Sequence, residues 1–153
     1  MSALLADAQE VTFHTGSFRD SYLPYEGHAV KEWVARLRDV EPDLILTHRS
    51  HDAHQDHRLI SELTWSTFRD QMILEYEIPK WDGDIGQPNL YVPLTHQTLD
   101  RKIELLHDHF GSQRGKDWFD AETFQAIARL RGMECRAPER YAEAFWLRKA
   151  VAS

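Results

Sequence analysis

The chain has 153 residues, 42% of them hydrophobic and 28% charged, enough for one globular domain with a real core. A net charge of −7 excludes nucleic acid as the principal partner, because phosphate binding needs a basic face. One cysteine, Cys135, excludes a disulfide framework; with no signal-peptide pattern and no apolar run near the ~20 residues that span a bilayer, the composition predicts a cytoplasmic protein with no membrane span.

In chain order, residues 2–9 read as the last turns of a helix that lacks an N-cap. Val11–Thr15 is a short strand candidate stopped by Gly16, and the aromatic and polar stretch to Gly27 is irregular. From His28 to Asp39, Val30, Trp33, Val34 and Leu37 recur at helical spacing, with Lys31, Glu32, Arg36 and Arg38 mostly on the other side. Pro42 precedes Asp43–Thr47, which reads as a buried strand. Strand, helix and strand in that order predict a βαβ unit and an at least partly parallel sheet. A helix beginning at Gln55 or His57 is expected to reach about Gln71, packing through Ile60, Leu63, Thr64 and Phe68. Met72–Ile78 is a further strand candidate. Pro79–Pro88, with two prolines, two glycines and two aspartates, is a loop. Leu90–Leu94 is a short extended segment in which Pro93 argues against a central strand. Helices are expected over Thr98–Phe110 and Ala121–Gly132, and a closing strand over Tyr141–Leu147.

The chemistry is concentrated just after the strand at Leu44–Leu46. Four of the nine histidines, His48, His51, His54 and His57, fall there with Asp52 and Asp56 among them. One His-x-x-His pair is a common accident of surface loops. Four imidazoles and two carboxylates at the carboxyl end of a strand, where ligands bind in parallel sheets, point instead to a metal or proton-transfer site. With a helix starting near Gln55, His54 and His57 occupy neighbouring positions at its N-terminus. A neutral imidazole there can bind zinc while Asp52 or Asp56 orients a ring through its other nitrogen. A catalytic zinc needs three protein ligands and an open position, so this segment supplies a partial set.

His54-Gln55-Asp56-His57, preceded by Asp52 and an apolar strand, resembles the second motif of the PIG-L/LmbE-like zinc de-N-acetylases, usually His-Pro-Asp-His. The helix from Lys102 to Gln113 and the segment Glu139–Phe145, with its Tyr-Ala-Glu-Ala-Phe string, are similar to the family's C-terminal half. The resemblance implies an α/β, Rossmann-like, partly parallel sheet flanked by helices. It further implies zinc-dependent removal of N-acetyl groups from amino sugars or glycoconjugates. By the same resemblance His57 is a zinc ligand, His54 stabilises the oxyanion or protonates the leaving amine, and Asp56 orients the pair. Gln55 replaces the usual proline. The family's first motif, Ala-His-Pro-Asp-Asp, which carries two zinc ligands and the general base, has no counterpart in the sequence. The chain is therefore expected to be a single domain corresponding to the C-terminal part of the enzyme, lacking its N-terminal units and weakly active or inactive alone. The alternative is a non-catalytic zinc-binding or interaction domain that pairs with an N-terminal fragment or with itself.

Two outlying residues complete the candidate site. Arg19, in the loop after the first strand candidate, is either a surface arginine or a holder of a substrate hydroxyl or phosphate. His109, late in a helix where a cation suits the C-terminal dipole, is either structural or a substrate contact.

Overall fold

The parallel pair predicted for the sheet forms, but between different strands. The computed structural model describes residues 10–149, so the helix expected at residues 2–9 lies outside the described residues. Residues 10–19 carry no regular structure, and the strand expected at Val11–Thr15 is absent. Val11 and Phe13 are 41% and 57% exposed; without burial or a ladder partner a five-residue run has nothing to hold it extended. The crossover unit is instead β1 (Leu44–His48), α2 (Gln55–Thr67) and β2 (Met72–Tyr76). β1 and β2 run parallel, with Leu44 opposite Met72 and His48 opposite Tyr76.

The sheet is mixed. Its four strands are ordered β1-β2-β4-β3, where β3 is Leu90–Leu94 and β4 is Tyr141–Leu147. β4 pairs antiparallel with β2, setting Trp146 opposite Glu75 and Phe145 opposite Tyr76. Pro93 sits on the outermost strand, where its missing N–H interrupts no central ladder. This is the expected α/β class, a partly parallel sheet flanked by helices.

The described residues divide into two compact units, one of residues 17–92 with 144–149, the other of residues 10–16 with Pro93–Glu143. In the first, α1 (Gly27–Ala35) packs on α2. Val30, Val34 and Leu63 are buried, and Phe18, Leu23, Trp33, Leu59 and Ile60 pack around them. Each of the three contributes roughly 1.5–3 kcal/mol on burial. The helix expected over His28–Asp39 tightens after Ala35 into a 3-10 segment, Arg36–Val40, which Glu41 ends in a left-handed conformation (φ 48°). α2 stops at Thr67, short of Gln71. Phe68 leaves helical geometry and is drawn into the core, only 7% exposed, while its N–H still donates to the Thr64 carbonyl. On β1 the residues alternate: Thr47 is buried, its Oγ1 3.2 Å from that of Thr64 on α2, whereas Leu44 and Leu46 remain 48% and 56% exposed.

In the second unit, α3 (His96–His109) and α4 (Ala121–Glu134) enclose Leu99, Ile103, Phe119, Phe124 and Ala128. Thr95 and Asp120 cap the two helices, each side chain accepting from the backbone N–H three residues on. Gly132 lies against the turn that leads into β4, and a Cβ there would stand 2.1 Å from the Arg140 carbonyl oxygen. Both sides of that contact are held, because Gly132 O accepts from Ala137 N and Arg140 adopts φ 69°. Gly132→Ala is therefore expected to lower stability by roughly 1–3 kcal/mol, the range for overpacking. Denaturant midpoints would show the loss; a midpoint unchanged from wild type would mean the helix end can shift away.

Candidate active site

The histidine loop hangs from β1 at one end and from the first turn of α2 at the other. His54 is the N-cap of α2, and its Nδ1 accepts from the backbone N–H of Asp56 at 3.2 Å. A nitrogen that accepts a hydrogen bond carries no proton, so these partners assign neutral His54 the tautomer with its hydrogen on Nε2. His57, one turn along, has the opposite assignment. Its Nδ1 lies 3.0 Å from Asp52 Oδ2, so Nδ1 donates to the carboxylate and Nε2 keeps its lone pair. The two rings sit with centroids 4.6 Å apart. One therefore offers a hydrogen-bond donor and the other a metal ligand.

Asp52 is the centre of this arrangement. It is 3% exposed, accepts the His54 backbone N–H on Oδ1 at 2.7 Å, and lies 3.1 Å from Lys80 Nζ. Burial alone would push its pKa up; the His57 ring, the His54 N–H and Lys80 together hold it below the usual carboxylate range. Lys80 also reaches both oxygens of Asp84, at 2.7 and 2.6 Å, and Asp84 accepts the Ala53 N–H at 2.7 Å. The Pro79–Pro88 loop is thus clamped to the histidine loop by two carboxylates on one ammonium. Arg58 closes the other side, donating to the carbonyls of Asp52 and Ala53.

The Asp56 carboxylate is engaged with the backbone of a neighbouring loop. Its carboxylate accepts the backbone N–H groups of Ser21 at 2.7 Å and Leu23 at 3.2 Å, and Gln55 donates to the Ser21 carbonyl. Ser21 holds φ 65°, a sparsely populated conformation for a residue with a Cβ, and these bonds keep it there. Asp56 therefore secures the 19–23 loop on α2, while Asp52 orients His57.

His48 completes the ring cluster. It stacks on His57, centroids 3.9 Å apart at 5°, and its Nε2 lies 3.4 Å from the Tyr76 hydroxyl. Burial, with the neighbouring His57 ring next in size, pushes its pKa down to about 4, so it is neutral at physiological pH. His51 is exposed and outside the stack, bonded to Ser50 Oγ. Arg19 is exposed, its guanidinium 3.8 Å above the Tyr22 ring. His109 belongs to the other unit, on the last turn of α3. The structure thus brings His48, His54, His57 and Asp52 together.

Lys80, Asp84 and the buried Glu75 were not singled out by their spacing. Partners such as Ala53 for Asp84 and Arg148 for Glu75 lie far away in sequence, and neither charge nor periodicity marks them.

A mixed, partly parallel sheet flanked by helices, with the histidine loop at the carboxyl end of a parallel strand, places the chain in the α/β class. Several solved structures share this fold. The conserved protein TT1542 from Thermus thermophilus aligns with a TM-score of 0.66 at 19% identity, over 89% of this chain and 65% of that one. N,N'-diacetylchitobiose deacetylase from Pyrococcus horikoshii, solved with an inhibitor, aligns at 0.63 and 21% identity, over 84% and 54%. GalB, the 4-carboxy-2-hydroxymuconate hydratase from Pseudomonas putida KT2440, aligns at 0.63 and 16%, over 82% and 60%. The chain spans less than two thirds of the length of each. No sequence among curated proteins matches it significantly. The family model PIG-L, described as GlcNAc-PI de-N-acetylase, matches residues 2–68. The resemblance to the PIG-L family is thus shown over the segment that carries the histidine loop; the match ends before the two later segments that resemble the family.

The clamp makes a pH-dependent prediction. Burial would raise the Asp84 pKa, but Lys80 and the Ala53 N–H hold it below the usual range. A carboxylate depressed in the folded state contributes fully above its unfolded value of about 4 and loses that contribution as pH falls through the lower folded value. Lys80→Met, which leaves Asp52 and Asp84 without their shared cation, should cost roughly 3–5 kcal/mol at neutral pH. That cost should shrink below pH ~4 as Asp84 protonates. Denaturation curves at the two pH values would reveal a pH-independent difference if the clamp were unimportant.

Proposed function

We propose that the chain contributes to hydrolysis of an N-acetyl group from an amino sugar or glycoconjugate, as half of a zinc site rather than a whole one. The observation that carries this reading is the opposed pair of tautomers at His54 and His57. His57 fits a zinc ligand: its Nδ1 is committed to Asp52, which leaves Nε2 available and fixes the ring's orientation. The fit is partial, since among the described residues no group of three or more His, Cys, Asp or Glu side chains is placed to hold a metal ion. Bound zinc supplies the activation of water and the polarisation of the amide carbonyl. The chain's own residues bind and stabilise: His54 directs Nε2–H at the charge developing on the carbonyl oxygen, and Asp52 keeps His57 in register. Asp56 and Gln55 seat the 19–23 loop, so that Arg19 reaches substrate hydroxyls. His109 is a substrate contact in this reading. The PIG-L match and the deacetylase neighbour support the reaction class.

Among the described residues no helix is long and apolar enough to cross a membrane. In this reading the remaining ligands and the general base are supplied from outside the described residues.

The test is acetate release from N,N'-diacetylchitobiose and N-acetylglucosamine conjugates. The chain with zinc is expected to be inactive alone and active once combined with a fragment bearing an Ala-His-Pro-Asp-Asp segment. In that assembly His57→Ala should abolish activity, and His54→Ala should lower kcat by about 10²–10³, the cost of one oxyanion donor. Chelator-sensitive turnover by the chain alone would overturn the half-site reading, and an inactive assembly with zinc bound would overturn the hydrolase reading.

A second reading, an interaction domain that pairs with a partner chain, is favoured by one observation. β1 is an edge strand, and Leu44 and Leu46 on it, with Met72 opposite Leu44, are each about half exposed. An edge with an apolar face is a template for strand addition. Leu46→Lys should abolish association in sedimentation experiments while shifting monomer stability by no more than about 0.5 kcal/mol. Association unchanged by this substitution would exclude β1 as the interface.

A further inference from the structure

The loop from β1 to α2 has a second side that the hydrolase reading leaves unused. Arg49, Ser50, His51, Glu75, Trp146 and Arg148 are among the residues around an open pocket of ≈ 490 Å³, within the usual range for small-molecule sites. Its charge balance turns on Glu75 and Arg49. Glu75 is 2% exposed and fully engaged, accepting from Ser50 N at 3.0 Å and Trp65 Nε1 at 2.9 Å, with Arg148 Nη1 3.7 Å away. Its negative charge is neutralised within the wall.

Arg49 has no such balance. Its guanidinium lies 4.9 Å from the centroid of the Trp146 ring, and Nη2 donates to the His51 carbonyl at 2.8 Å. These two contacts fix the group in place, yet its Nε is buried without a hydrogen-bond partner among the described residues. No carboxylate among them pairs with it. Gly86 makes this placement feasible: a Cβ there would stand 2.5 Å from Arg49 Nη1 and 3.1 Å from Trp146 Cζ2. A buried Nε–H with no acceptor is costly, and the groups that best match a guanidinium's planar donors are carboxylate and phosphate.

We infer that this pocket binds the anionic group, carboxylate or phosphate monoester, of a small sugar-sized ligand, with Arg49 as its counter-charge. The arginine is held against Trp146 before the ligand arrives, which limits the entropy lost on binding. Binding here involves the chain as it stands and is independent of whether hydrolysis takes place.

Titration calorimetry of the full chain with glucuronate, glucose 6-phosphate and neutral glucose tests this. At least one acid should bind saturably where glucose does not, and the preferred acid identifies the anion as carboxylate or phosphate. Arg49→Gln should weaken that binding by about tenfold or more, the scale of one charge-assisted hydrogen bond. Arg49→Lys, which keeps the charge but loses the fork, should fall between the two. Gly86→Ala, which retains both side chains but crowds the guanidinium, should weaken binding in the same direction and decides the matter if Arg49→Gln fails to fold. Failure of both acids to bind, equal binding of glucose, or wild-type affinity in the folded variants would overturn the proposal.

Discussion

The buried carboxylate of Asp52 ties together the parts of the site that chain geometry alone would leave independent. One oxygen faces the His57 ring; the other meets the His54 backbone N–H and the Lys80 ammonium. A charge this deeply buried is tolerable only when every lone pair is met, and each group meeting it belongs to a different piece of machinery: a ring, the start of a helix and a distant loop. Through Lys80 the constraint extends to Asp84, and through Asp84 back to the Ala53 backbone. The result is a closed circuit of charge-assisted bonds around the histidine loop. Such bonds strengthen one another where water is scarce, so the loop is held by polar contacts and not by a buried hydrophobic residue of its own.

What the sequence made legible is what local chemistry encodes. The Leu44–Leu46 run announced β1, the spacing of Ile60, Leu63 and Thr64 announced the packed face of α2, and Pro93 correctly argued for an outer strand. The histidine cluster was visible because four imidazoles in ten residues have few other uses. Three things were hidden. Val11–Thr15 has strand-forming residues but no ladder to join, and burial, not propensity, decides such a short run. The division of labour between Asp52 and Asp56 depends on which backbone N–H groups fold back onto the helix, in this case those of Ser21 and Leu23. Lys80 and Arg49 matter because of partners brought close only by the tertiary fold.

The fold by itself leaves chemistry open. It is shared by a deacetylase from Pyrococcus horikoshii and a hydratase from Pseudomonas putida, two different reactions. In this chain a parallel strand, a histidine-bearing loop at its carboxyl end and a helix that begins at that loop place the candidate residues. Specific function is then a matter of which polar groups stand around the loop, and here those include Arg49 on one side and the clamp from Lys80 on the other.

The cap at the start of α2 bears on a choice that the motif alone leaves open. A histidine at this position can either hold a negative oxygen through a hydrogen bond or surrender a proton to a departing amine. The second task requires the imidazolium form, with hydrogens on both nitrogens. In His54 the second hydrogen would have to occupy Nδ1, where the Asp56 N–H already points, donor against donor. The helix would then lose its first side-chain acceptor just as the reaction called for a proton. The neutral ring has no such conflict and keeps its hydrogen throughout. Under the proposed function, this contact suits His54 to holding charge in place rather than to transferring a proton.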